Sequence, residues 1–363
     1  MSDLHTELFF DSQKILERLK EEFRKSQKSI DIEVYIWAMD EVANEFYEIL
    51  LEAAQRGVQV RILVDGFGSL DWIRNEMNRK THPNLHVRIY HKFLGLTALA
   101  YPNKLSLIWG RMNQRDHRKI YIIDDKIAFT GSFNVTNSTL VWEETAVEIK
   151  GAQIQTLKEM FDLTWKRSRD FLSRMTKQDP PVVEQIQKSK TLFTTQTFSL
   201  RRRYRKAFYL HLKHAKKRIW MVTPYLNPPK RLIKHLADAR KRNVEVVLIL
   251  SKTTDYIVSS WMAHLHYRNL FDAGVKIYEH QDTFIHSKLA LIDDRVIVGS
   301  GNLNYRSLYR DLEMNLVVND KKNVQKVEEQ IRYYAKKSKR VNSDYTFLQK
   351  LALTPLAFFK TWF

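Results

Sequence analysis

Apolar positions along this chain follow two different periods. From Glu45 to Gly66 the sequence EFYEILLEAAQRGVQVRILVDG spaces them three and four apart, then clusters them after Gly57. That pattern predicts an amphipathic helix, a glycine stop and a buried strand. RLIKHLADARKRNVEVVLILS, from Arg231 to Ser251, repeats the order with Asn243 at the stop. SIDIEVYIW (Ser29 to Trp37) and KRIWMVTPYL (Lys217 to Leu226) predict a strand ahead of each helix. Strand–helix–strand order with apolar strands predicts a mainly parallel sheet with helices on its faces. The chain therefore reads as α/β, with two similar domains.

A second repeat lies downstream of each unit. DHRKIYIID (Asp116 to Asp124) and IHSKLALID (Ile285 to Asp293) both carry His-x-Lys, four residues, then Asp. KIAFTGSFN follows the first and RVIVGSGN the second, so Asn134 lies 17 residues after His117 and Asn302 lies 16 after His286. A further acid, Glu144 or Glu313, stands 27 residues after each histidine. Matched spacing at four positions identifies an internal duplication.

On a strand, His117 and Lys119 share one face, as do His286 and Lys288. Asp124 and Asp293 have the opposite parity and open DDK and DDR, expected hairpin turns. They are carried as members of the catalytic motif, with bracing of the turn or a neighbouring segment as the reading parity favours. Glu144 and Glu313 are the better candidates for holding each imidazole, since a carboxylate on one ring nitrogen makes the other more basic; adjacent Glu143 is a rival to Glu144. Lys supplies positive charge for a phosphate, and Asn134, Asn302, Ser132 and Ser300 supply hydrogen bonds. The two serines have an alternative role in closing a tight turn with Gly131 and Gly299. Tyr225 lies where a strand ends, to line the site or to pack as a buried aromatic. Brought together, the two sets form one shared site: one histidine attacks phosphorus, and the other protonates the leaving oxygen and then deprotonates the acceptor.

Composition narrows the substrate. Sixty Lys and Arg against 41 Asp and Glu give a net charge of +19, which calls for an anionic partner: nucleic acid, an anionic membrane or a phosphate-bearing substrate. With no cysteine there is no disulfide, thiolate nucleophile or Cys-based metal site. No cofactor and no metal are expected, because no carboxylate–His cluster with metal spacing accompanies the motifs. The polar start, MSDLHTELFFDSQKILERLKEEF, reads as neither signal peptide nor membrane span. Two apolar, aromatic, weakly basic segments, 93–113 and 346–363, are expected either at a membrane interface or packed on the core. Residues 201–240 carry 13 Lys or Arg against Asp238 alone, suiting lipid headgroups, nucleic acid or a solvated face. RMTKQDPPVVEQIQKSK, residues 174–190, reads as a linker between domains at 1–173 and 191–345.

HRKIYIIDDKIAFTGSFN and HSKLALIDDRVIVGSGN resemble the paired motifs of the phospholipase D superfamily. TPYLNPP, GSGNLNYRSLYRDLEMNL and the first-half strand–helix–strand are similar to bacterial cardiolipin synthases over roughly residues 30 to 320. The resemblance implies two phospholipase D-like domains sharing one active site at their interface. It also implies a covalent phosphohistidine, on His117 or His286, and transfer of a phosphatidyl group between phosphatidylglycerol molecules. Lacking an apolar run long enough to span a bilayer, the chain is similar to the shorter, non-spanning members. A peripheral enzyme on the cytoplasmic face of an anionic membrane is the expectation. A phospholipase D-type hydrolase, or a nuclease of the superfamily using the basic surface, is the alternative.

Overall fold

The structure, a computed structural model, describes residues 5–75, 79–91, 114–169 and 180–341. The first half builds a seven-stranded sheet from β1 (His5–Phe9), β2 (Ser29–Val34), β3 (Gln59–Asp65), β4 (Leu85–Tyr90), β5 (Ile120–Ile123), β6 (Ile127–Gly131) and β7 (Ala146–Lys150), ordered 1-7-6-5-2-3-4. The second half contains β8 (Leu192–Thr194), β9 (Arg218–Val222), β10 (Leu226–Asn227), β11 (Glu245–Ser251), β12 (Lys276–His280), β13 (Leu289–Ile292), β14 (Arg295–Gly299), β15 (Leu303–Asn304), β16 (Met314–Val318) and β17 (Ser338–Arg340). Its main sheet runs 17-12-11-9-13-14-16-8, and β10 pairs with β15 apart from it. Leaving out the edge strand β17, the two orders coincide strand for strand.

Both sheets are mixed. The parallel character expected from strand–helix–strand order is confined to β2–β3–β4 and β9–β11–β12. The rest is antiparallel, because each histidine motif folds back through a tight hairpin (β5–β6 and β13–β14) that needs no crossover. Asp124 and Asp125, at φ 53° and 55°, are the central residues of the first hairpin's turn, which Lys126 N–H closes by donating to Ile123 O at 2.9 Å, as a right-twisted pair favours.

The predicted helices form where the apolar spacing put them. Glu41–Gln55 starts at Asp40, whose carboxylate accepts the Ala43 N–H at 3.0 Å, and buries Phe46, Leu50, Ala53 and Ala54. It ends before Gly57, whose φ of 97° suits a residue without Cβ. Asn243, at φ 63°, stands at the same point after Lys230–Lys241. Within the stretch expected as a linker, Val182–Lys188 is helical and buries Val183 and Ile186. Segments 93–113 and 346–363 lie outside the described residues. Among the described residues, no helix is long and apolar enough to cross a membrane.

One apolar cluster joins the halves: Ile122, Val147 and Ile149 of the first sheet belong with Leu289, Val298 and Leu316 of the second. Backbone bonds stitch the same boundary twice. His117 N–H donates to Leu312 O at 2.9 Å and Leu312 N–H to Arg115 O at 2.8 Å. In the mirrored place, Glu143 N–H donates to Phe284 O and His286 N–H to Glu143 O, both at 2.9 Å. Each histidine is thus anchored to the segment that carries the other half's glutamate.

Candidate active site

His117 and His286 line one pocket of about 530 Å³ between the halves, with Asn134 and Asn302 also in its wall. Each imidazole is held by the glutamate of the opposite half. His286 Nδ1 lies 2.7 Å from Glu144 Oε1, and His117 Nδ1 lies 3.3 Å from Glu313 Oε2 and 3.1 Å from the Ser300 carbonyl. With Nδ1–H donated inward, Nε2 is the nitrogen left for chemistry. The second histidine is the more enclosed, its side chain 4% exposed against 13% for His117.

The glutamates are themselves fixed. Ser132 Oγ donates to Glu144, and Ser300 Oγ to Glu313; Ser307 Oγ adds a bond to Glu313 at 2.6 Å. The two motif serines are therefore turned into the protein, fully buried, rather than toward a phosphate. Gly131 and Gly299 permit this geometry. A Cβ on Gly131 would meet Thr145 O at 2.0 Å, and one on Gly299 would meet Met314 O at 2.1 Å. Glu143 contributes its backbone, while Glu144 is the one at an imidazole.

Lys119 and Lys288 lie beneath the histidines, each donating its ammonium to the carbonyl of the histidine two residues earlier, at 2.7 and 2.5 Å. Burial lowers Lys119 to about 8 and Lys288 to about 7, although Glu313 and Glu144 pull upward. Burial likewise depresses His286 to about 3, against the attraction of Glu144, and lowers His117. Burial alone would raise both glutamates, yet the neighbouring histidine, lysine and serine hold each below the usual carboxylate range. Near neutral pH the site thus pairs anionic carboxylates with neutral imidazoles.

Asp124 and Asp293 stand elsewhere, which corrects their place among the catalytic residues. The Asp124 carboxylate accepts the backbone N–H groups of Gln27, Lys28 and Ser29 at 3.0, 2.7 and 3.0 Å. Asp293 does the same for Lys216, Lys217 and Arg218 at 3.0, 2.8 and 3.2 Å. Each pins its hairpin to the start of the adjoining parallel strand, β2 in the first half and β9 in the second.

Several pocket residues carried no signal in the duplicated motif. The Tyr35 ring lies 5.0 Å from that of His117, and Trp142 lies 5.2 Å from His286. Arg115 and Arg306 add guanidinium groups; Tyr225, which the sequence offered either as a lining residue or as a buried aromatic, lines the wall with its hydroxyl donating to Asp255 at 2.6 Å. Trp142 falls just before the paired glutamates, and Arg115 two residues before His117; that adjacency was the available clue. Among the described residues, no group of three or more His, Asp or Glu is placed to hold a metal ion.

The model of the family described as cardiolipin synthase, phospholipase D-like domain, matches residues 19–165 and 209–334. The cardiolipin synthase of Clostridium perfringens strain 13 is 28% identical over 344 residues, covering 89% of this chain and 69% of that protein. The minor cardiolipin synthase ClsB of Bacillus subtilis strain 168 is 28% identical over 350 residues, 93% of this chain and 84% of its own. In fold, the chain is similar to phosphatidylserine synthase from Haemophilus influenzae Rd KW20, with a TM-score of 0.70, 15% identity, and 98% and 94% of the two chains covered. With a family model matching in both halves over most of its length, the chain belongs to the cardiolipin synthase family of phospholipase D-like proteins.

Proposed function

We propose that the protein is a phosphatidyltransferase that condenses phosphatidylglycerol, or another phospholipid donor, into cardiolipin through a covalent phosphatidyl-histidine. The observation that carries this reading is the crossed arrangement: two imidazoles from opposite halves, each held at Nδ1 by the other half's glutamate, face one pocket. The names of the relatives supply the substrate class.

His117 is assigned as nucleophile. It is the more open imidazole, and its glutamate bond is the longer. Nε2 of His117 attacks phosphorus, and the P–O bond to the leaving glycerol breaks as His286 gives that oxygen its proton. The tighter Glu144 bond stabilises the imidazolium that this role requires. The phosphodiester's negative charge, on binding, raises both imidazoles and both lysines from the values that burial depresses. In the second step the acceptor hydroxyl loses its proton to His286 while its oxygen bonds phosphorus and the P–N bond breaks. Asn134 and Asn302, in the pocket wall, are assigned to the non-bridging oxygens with Lys119 and Lys288.

The decisive experiment incubates the pure protein with phosphatidylglycerol vesicles and identifies the products by mass spectrometry. Cardiolipin and glycerol are expected. Phosphatidic acid alone would make water the acceptor, and cleavage of DNA with no lipid product would make the protein a nuclease. The +19 charge supports an anionic membrane as the working surface, with vesicle co-sedimentation expected to weaken as salt rises.

A further inference from the structure

The duplication that builds the pocket loses its symmetry at the position two residues before each histidine. Two residues before His117 stands Arg115; two residues before His286 stands Phe284. In the second half the Phe284 ring is buried and stacks 5.9 Å from His286. In the first half the Arg115 guanidinium lines the pocket, 4.9 Å from the ring of exposed Phe67. Its ion pairing is loose: Nη1 comes no closer than 4.0 Å to Asp65. The Asp65 oxygens are turned to the backbone N–H groups of Phe67, Gly68 and Asp116. Asp311 draws a second guanidinium to the same wall. Its carboxylate accepts the Arg115 backbone N–H at 3.0 Å and holds Arg306 side-on through Nε at 2.9 Å and Nη2 at 2.8 Å.

Resting on the proposed transfer, the stoichiometry requires something more of this pocket. Both the donor and the acceptor carry a phosphodiester. The reacting phosphate sits between the two histidines above the lysines, and a second anion must be held a glycerol's length away while its free hydroxyl attacks. Arg115 and His117 alternate about Asp116, which bridges to Leu312 in the segment leading into β5, and both line the one pocket. A guanidinium suits a phosphodiester better than an ammonium does, through paired N–H donors. We propose that Arg115, with Arg306 beside it, is the subsite for the acceptor phospholipid's own phosphate, placing that lipid's hydroxyl at the phosphohistidine. In this second step the acceptor oxygen bonds phosphorus, the P–N bond to His117 breaks, and the proton passes to His286. Water, as acceptor, needs no such subsite, so Arg115 governs the choice between transfer and hydrolysis.

The test compares the full-length wild type, Arg115→Met and Arg115→Lys on phosphatidylglycerol vesicles, reading cardiolipin and phosphatidic acid by mass spectrometry. A parallel arm follows transfer from the same donor to ethanol, an acceptor with no phosphate. Arg115→Met is expected to lower the cardiolipin to phosphatidic acid ratio by at least ~10-fold, the loss of one charge-assisted contact, and to lower transfer to ethanol far less. Arg115→Lys should fall between the two. Thermal melts establish that the variants fold, and if Arg115→Met does not, the lysine variant's ratio decides: an unchanged ratio overturns the subsite. A wild type that makes no cardiolipin sinks the transferase reading and the subsite with it. A wild type that makes cardiolipin, with variants of unchanged product ratio or with equal loss to both acceptors, sinks the subsite alone.

Discussion

Lys288 is a cation held where a cation is costly. Burial keeps it near 7, against 10.5 for an ordinary lysine, and Lys119 near 8. Between those values and 10.5 the unfolded chain binds more protons than the folded one. Stability therefore rises with pH through that window, and the full cost of burying the charges is felt below it. Lys288→Met should be more stable than the wild type near neutral pH, with the advantage shrinking toward pH 10.5; urea midpoints at several pH values measure this. The same lysines should take up protons when an anion fills the site. Tungstate binding at pH 8, followed by calorimetry in buffers of different ionisation enthalpy, is expected to show net proton uptake, reduced in Lys288→Met. Binding with no buffer dependence would mean the lysines are already charged in the empty site.

At the scale of elements, the candidate histidines and lysines lie in the segments that lead into the two hairpins, whose turns are tied down by Asp124 and Asp293. Strand parity had already set these aspartates off from the histidines. What parity did not reveal is their partner, since three successive amides at Gln27 to Ser29 come from a segment nearly a hundred residues away. A carboxylate accepting several amides is worth about 1–3 kcal/mol through its charge-assisted bonds. Asp124→Ala should lower the unfolding free energy by about that amount, and turnover at a temperature where both proteins are folded should stay within about two-fold. A loss of turnover near that of a histidine variant, with unchanged stability, would return Asp124 to the chemistry. Ser132 and Ser300 raise the same difficulty in reverse. Turn closure and phosphate binding were both plausible from local sequence, yet the partners are Glu144 and Glu313, brought opposite by the register of β6 on β7 and of β14 on β16.

At the scale of the whole molecule, the repeat made the two-domain α/β fold and most of the site legible. Matched spacings marked His117, Lys119, Glu144 and their second-half equivalents without any coordinates. Which glutamate serves which histidine was not legible, because the 27-residue offset is the same in both halves and says nothing about how they face each other. Arg115 escaped notice for the opposite reason, having no counterpart in the repeat. The crossing has a consequence. His117 and His286 each depend on a glutamate from the other half, and both halves belong to one chain joined by a common core. His117→Ala and His286→Ala should each lose turnover by at least ~10²-fold, since nucleophile and acid act on one phosphate. Mixing the two variant proteins should restore nothing, because each pocket draws both imidazoles from a single chain and each variant pocket lacks one. Co-expressing and co-purifying the pair, then assaying cardiolipin formation, measures this. Recovery of activity in the mixture would show halves exchanged between chains, so that a complete pocket forms from the intact half of each.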